Sequence, residues 1–208
     1  MKCRPIIAIL RGIRPIEAES VSEILIDAGI KIIEVPLNSP SPIETLTRMV
    51  NFHGNKAIFG AGTVLKLDQV KEVHQTGAKL IVSPNTNIEV IKKTKEFDML
   101  SIPGCYTATE ALMSLEYGAD GLKLFPAFLM GEIGFQALSA ILPNNVMSFA
   151  VGGIDTSDFK SWISVNITGF GLGSSLYKPG LDLLKIRKKT EEVIKVFDKV
   201  SHNKLINI

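Results

Sequence analysis

Two charged residues sit where strand alternation would bury them. In Gly121-Leu122-Lys123-Leu124-Phe125-Pro126, alternation puts Lys123 on one face with Gly121 and Phe125, and Leu122, Leu124 and Pro126 on the other. In the run from Ile32 to Asn38 the same parity sends Ile33, Val35 and Leu37 one way and Glu34 the other, with Ile32 and Pro36. The apolar sets suit a covering layer of helices, so Lys123 and Glu34 turn to the inside. Burying an ammonium costs several kcal/mol unless it is paired or neutralised. A desolvated amine of lowered pKa is a nucleophile toward a ketone. Lysine with one carboxylate supports imine formation and proton transfer without a metal, although the same pair can also form a simple buried salt bridge. Desolvation favours the neutral amine and a Glu34 anion favours the ammonium, so the sequence leaves the charge of Lys123 open.

Glycine-rich segments offer a second chemistry, anion binding. Val151-Gly152-Gly153 and Gly173-Ser174-Ser175 let backbone N–H groups approach a phosphate, and a helix starting near Asp155 or Ser157 adds its positive end. Arg11 is a planar donor fork suited to a carboxylate. Gly60-Ala61-Gly62-Thr63 leaves room for a small molecule to reach Thr63. Cys3 and Cys105 form no C-x-x-C pair and read as buried thiols of a reducing compartment. His53, His74 and His202 lack ligand spacing, so no metal is expected.

The elements that must hold these groups recur with a simple period. Short β-rich runs lie at residues 6–10, 32–37, 57–64, 80–83, 99–102, 121–125, 146–151 and 169–173. Helical spacing follows each of them, at 16–28, 42–52, 67–76, 88–97, 108–117, 132–141, 157–164 and 183–200. Glycines at Ala28-Gly29, Thr76-Gly77 and Tyr117-Gly118 suit helix C-termini. Eight alternating pairs in 208 residues predict one (β/α)8 TIM barrel, an α/β fold, over residues 1–208, with 201–208 expected to fray. A doubly wound open sheet with a dinucleotide is disfavoured, because Arg11-Gly12-Ile13-Arg14 is no G-x-G-x-x-G turn. In a barrel the chemistry belongs at the C-terminal strand ends, where Arg11, Thr63, Gly152 and Gly173 all fall.

Composition narrows the partners. Hydrophobic residues at 46% and charged residues at 21% describe a globular chain rather than a disordered one. The apolar runs fall far short of a membrane span, and Arg11 ends the first before it reaches signal-peptide length, so a cytoplasmic protein is expected. Of the net +2, residues 178–204 carry eight basic against four acidic groups, or +4, leaving −2 elsewhere. That local excess reads as a terminal amphipathic helix, not a nucleic-acid surface.

Taken in order, Leu10-Arg11-Gly12, Glu34 to Pro40 (EVPLNSP), Gly60 to Val64 (GAGTV), Ser83-Pro84-Asn85, Ile102-Pro103-Gly104, Leu122 to Ala127 (LKLFPA), Val151-Gly152-Gly153 and Gly171 to Tyr177 (GLGSSLY) resemble the 2-keto-3-deoxy-6-phosphogluconate/6-phosphogalactonate aldolases. The resemblance runs from the first strand to the eighth. It implies Lys123 as the Schiff-base lysine and Glu34 as the general acid/base. Arg11 and Thr63 would face a pyruvate-like carboxylate, and Gly152, Gly153, Gly173 and Ser174 the phosphate. Asn38 and Val151 resemble the phosphogalactonate branch, since phosphogluconate enzymes typically carry Arg and Thr there. Threonine at 151 would bond one C4 hydroxyl configuration, whereas valine keeps the shape without the bond. The apolar Phe128-Leu129-Met130 departs from the family loop.

The resemblance implies cleavage of a phosphorylated 2-keto-3-deoxy sugar acid to pyruvate and glyceraldehyde 3-phosphate by a homotrimer without a cofactor. A phosphogluconate or dual-specificity aldolase is the first alternative. A phosphosugar isomerase or epimerase using Glu34 as base, and a non-catalytic phosphometabolite-binding module, are more distant ones.

Overall fold

The computed structural model describes residues 1–208. Each expected β run holds a parallel strand. These are β2 (Ile6–Ile9), β3 (Ile32–Pro36), β4 (Ile58–Gly62), β5 (Leu80–Val82), β6 (Leu100–Ile102), β8 (Gly121–Leu124), β9 (Met147–Val151) and β10 (Gly169–Leu172). Two more short strands, β1 (Lys2–Cys3) and β11 (Ile206–Asn207), pair antiparallel outside this set. The sheet order is β6-β5-β4-β3-β2-β10-β9-β8-β7, where β7 is Gly104–Cys105. Pro103 lacks an N–H and interrupts the ladder, so β6 and β7 are two halves of one barrel strand. β6 pairs with β5 and β7 with β8, which closes the ring as an eight-position TIM barrel.

The outer layer is α1 (Ala18–Ala28), α2 (Pro42–His53), α3 (Leu67–Gln75), α4 (Ile88–Glu96), α5 (Ala108–Glu116), α6 (Ala127–Ser139), α7 (Phe159–Ser164) and α8 (Leu183–Ser201). Gly29, Gly77 and Gly118 follow α1, α3 and α5 with φ of 102°, 82° and 94°, the left-handed geometry that ends a helix without a Cβ penalty. Thr107 and Glu110 form a reciprocal capping box at the start of α5. One helix starts earlier than its pattern suggests. α6 begins at Ala127 instead of Glu132, because Gly131 (φ 64°, ψ 170°) breaks it after one turn and interrupts the periodicity.

Two apolar clusters follow from strand parity. One lies between sheet and helices and includes Ile33, Val35, Leu122 and Leu124. The other fills the barrel with Ile7, Ile9, Ile32, Ile58, Leu80, Val82, Ile102, Phe149 and Val151. Residues 201–208 do not fray: after α8 ends, β11 pairs with β1, matching Lys2 to Asn207 and Cys3 to Ile206. Ile206 and Ile208 pack on the inner cluster, which gives the tail an apolar anchor at the closed end. No helix is long and apolar enough to cross a membrane.

Candidate active site

Ile32 and Gly121 take the lower inward positions on β3 and β8, and two residues further on each strand Glu34 and Lys123 take the next. In the closed ring β2, β10 and β9 separate these strands on one side, and β4, β5 and the β6/β7 strand on the other. The acid and the amine therefore face each other from opposite walls. Their exposures are only 2% and 6%, low values for charged residue types. No ion pair joins them. Glu34 Oε2 has no hydrogen-bond partner in the protein, and Lys123 Nζ lies 4.6 Å from the centre of the Phe125 ring.

Desolvation dominates both groups. Burial pushes the Glu34 carboxyl up to about 7, against the pull of the Lys123 and Arg11 cations. Burial also draws the Lys123 amine below the ordinary lysine range, with Glu34 opposing and Arg11 adding to the shift. The sequence leaves that contest open; in the fold burial outweighs the Glu34 anion and shifts the amine toward its neutral form. Such a pair can attack a carbonyl and exchange protons near neutral pH.

Above this layer opens a cavity of about 630 Å³ lined by Arg11, Glu34, Lys123, Phe125, Val151, Gly152, Gly153, Gly173 and Ser174, among others. Gly152 and Gly153 adopt φ of 92° and 74°, and a Cβ on either would meet the rings of Phe125 or Phe128. The N–H groups of Gly152, Gly153, Gly173, Ser174 and Ser175 donate no hydrogen bond within the protein. Five free donors at two adjacent strand ends make a cradle for an anion. The segment after Asp155 adds little helix-end field: it is a 3₁₀ turn, Thr156–Asp158, leading into the six-residue α7.

The remaining residues singled out in the sequence are placed as follows. Arg11 Nη1 donates to Asn38 Oδ1, so the loops after β2 and β3 meet at the mouth. Gly12 N–H reinforces that junction by donating to Ser39 Oγ at 2.9 Å. Val151 lines the cavity wall at 5% exposure. Thr63 follows β4 with φ of 57°, a strained conformation for a β-branched residue, and does not line this cavity. Ser39, Lys178 and Lys189 escape the strand-end reading of the sequence, which includes Ser175 for its backbone N–H alone. Lys189 has a local signal, a cation on the buried stripe of a helix, and Ser39 has none.

Cys3 and Cys105 are buried free thiols, and burial holds Cys105 up to about 12, far from a reactive thiolate. No group of three or more His, Cys, Asp or Glu side chains is placed to hold a metal.

Comparison with known proteins agrees with this geometry. The model for KDPG and KHG aldolases matches residues 1–195. The 2-dehydro-3-deoxy-6-phosphogalactonate aldolase of Escherichia coli K12 is 42% identical over 193 residues, 93% of this chain and 94% of that protein. A solved structure described as native KDPGal superposes with a TM-score of 0.93 at 41% identity, covering 95% of this chain and 96% of that one. The KDPG aldolase of Legionella pneumophila, solved with pyruvate captured as a covalent carbinolamine, superposes with a TM-score of 0.80 at 25% identity over 95% and 94% of the two chains. The motif register, the closed barrel and these matches agree from the first strand to the last helix: the chain belongs to the KDPG and KHG aldolase family and is a carbon–carbon lyase.

Proposed function

We propose that the protein is a class I aldolase that cleaves 2-dehydro-3-deoxy-6-phosphogalactonate reversibly to pyruvate and D-glyceraldehyde 3-phosphate, with Lys123 as nucleophile and Glu34 as acid/base. The observation that carries this reading is the buried, unpaired amine of Lys123 facing a buried carboxyl with a free oxygen. Neutral Lys123 adds to the C2 ketone, and the carbinolamine loses its hydroxyl as water with a proton from Glu34. The Glu34 carboxylate then takes the C4 hydroxyl proton. The C3–C4 bond breaks, the aldehyde leaves, and the electron pair passes into the iminium to give an enamine. Protonation at C3 and addition of water release pyruvate and the free amine.

Arg11 holds the substrate carboxylate in this reading, whereas Thr63, outside the cavity lining, is given no contact with it. Gly152, Gly153, Gly173 and Ser174 hold the phosphate, so its binding energy positions the reacting carbon. The substrate assignment draws on the phosphogalactonate name of the Escherichia coli relative and on Val151 and Asn38. Assay of both C4 epimers tests it: we expect a higher kcat/KM on the galactonate epimer. A tenfold or larger preference for the gluconate epimer, about 1.4 kcal/mol in the transition state, would make this a phosphogluconate enzyme instead.

We also propose a homotrimer working in the cytoplasm. Phe128, Leu129 and Ile133 of α6 are 64%, 62% and 85% exposed, an apolar face suited to a subunit contact. Light scattering should return three chain masses, and a monomer would overturn the trimer. The two unpaired cysteines suit a reducing compartment, which fractionation of the source cells tests.

A further inference from the structure

Helix α8 buries Ile186, Thr190, Val193 and Phe197 against the barrel. Lys189 is three residues after Ile186 and four before Val193, so it shares that inward stripe, where an apolar residue is the ordinary choice. Its stem lies along the packed face while the ammonium reaches the barrel mouth. There Nζ donates to the carbonyl oxygen of Ser175 at 2.8 Å. The Ser175 hydroxyl in turn donates to the carbonyl oxygen of Ile154 at 3.0 Å. Through Ser175, Lys189 ties together the two loops that carry the free N–H groups of Gly152, Gly153, Gly173 and Ser174. Lys189 lines the same cavity as those residues.

An ammonium has three donors, and the Ser175 carbonyl takes one. The backbone cradle offers only partial charges to a phosphate dianion. The other cation at this end of the cavity, Lys178, is exposed and strongly screened. The carboxylate there, Asp155, has Oδ1 engaged by the Thr156 N–H at 2.6 Å. We infer that Lys189 is a phosphate-binding residue that also positions the cradle, supplying from α8 the full positive charge that the glycine loops lack. This rests on the proposed reading of the site, and selects the phosphorylated form of its substrate.

The test compares intact wild type with Lys189→Met and Lys189→Arg. Two readouts are used: binding of inorganic phosphate by calorimetry, and kinetics on the phosphorylated substrate beside its non-phosphorylated analogue. Loss of one charge-assisted bond should weaken phosphate binding roughly tenfold or more in Lys189→Met and raise KM for the phosphorylated substrate by a similar factor. On the phosphorylated substrate kcat should fall as well, by less than KM rises, the analogue should lose far less than the phosphorylated substrate, and Lys189→Arg should restore most of the loss. Lys189→Gln serves if the Met variant fails to fold. Unchanged phosphate affinity, equal losses on both substrates, no rescue by arginine, or a wild type that binds no phosphate would each overturn the inference. Phosphate binding needs no turnover, so failure of the aldolase assignment would be seen separately, in pyruvate trapping.

Discussion

Gly62 has no room for a side chain, because the Glu34 carboxylate fills the space into which a Cβ would project. The two residues sit on neighbouring strands two register positions apart, Gly62 opposite Pro36 and Glu34 opposite Gly60, so the bare end of β4 forms the wall against which the acid rests. Gly62→Ala should push the carboxylate out of line without removing it. A displacement near 1 Å costs about 10²-fold in rate, and overpacking costs roughly 1–3 kcal/mol of stability. Steady-state kinetics and thermal unfolding of the folded variant check this; wild-type kcat would mean Glu34 needs no fixed position.

The Glu34 carboxyl, at about 7 in the fold against 4.5 without burial, gives a signed pH dependence. Between these values the native state holds a proton that the unfolded chain has released. Glu34 therefore takes stability away as pH rises from 4.5 through 7, by up to about 3 kcal/mol. The lowered Lys123 value acts oppositely, withdrawing stability where the unfolded amine is protonated and the folded one is not. Glu34→Gln should then be close to neutral for stability near pH 4.5 and raise Tm by several degrees at pH 8, with a loss of about 10²- to 10⁴-fold in cleavage. The limb near pH 7 in the wild-type profile should vanish. An unchanged limb would assign it to another group.

Gly173 differs from its partner glycines. It avoids the left-handed region and a Cβ there meets nothing within 4 Å, whereas Gly152 and Gly153 do neither. Gly173→Ala should fold normally. Gly173→Leu should project into the cavity and raise KM for the phosphorylated substrate by roughly tenfold or more, with a smaller effect on a non-phosphorylated analogue. Equal effects on both would place the phosphate elsewhere.

The epimer preference should follow Val151 and Asn38. Val151→Thr preserves shape and adds a hydroxyl to the cavity wall, so the kcat/KM ratio should move about 3- to 30-fold toward the gluconate epimer. Asn38→Ala frees the Arg11 guanidinium from its Oδ1 partner and should erode discrimination while raising KM. Ratios that stay fixed in both variants would move selection to other residues.

The barrel and its two central side chains were legible because parity is a local property. Ile32 and Glu34, or Gly121 and Lys123, share a face whatever the rest of the chain does. The short β7 beyond Pro103 was hidden because two residues are too few to show alternation, and the first turn of α6 because Gly131 interrupts the helical period after it. The tail from 201 to 208 is polar enough to suggest fraying, and the pairing of β11 with β1 and the packing of Ile206 and Ile208 on the inner cluster, both contacts distant in sequence, hold it. Ser39, Ser175 and Lys189 act through contacts between segments well separated in sequence, which periodicity cannot report. Lys189 was the exception that left a trace, a lysine within the apolar stripe of α8.

The covalent role of Lys123 has the most direct measurement. Borohydride reduction of the enzyme with pyruvate, followed by peptide mass analysis, should place one stable adduct on Lys123. Lys123→Ala should lose both adduct and turnover, leaving the barrel folded. Adduct on a different lysine, or turnover surviving in Lys123→Ala, would contradict the assignment of this residue as the Schiff-base nucleophile.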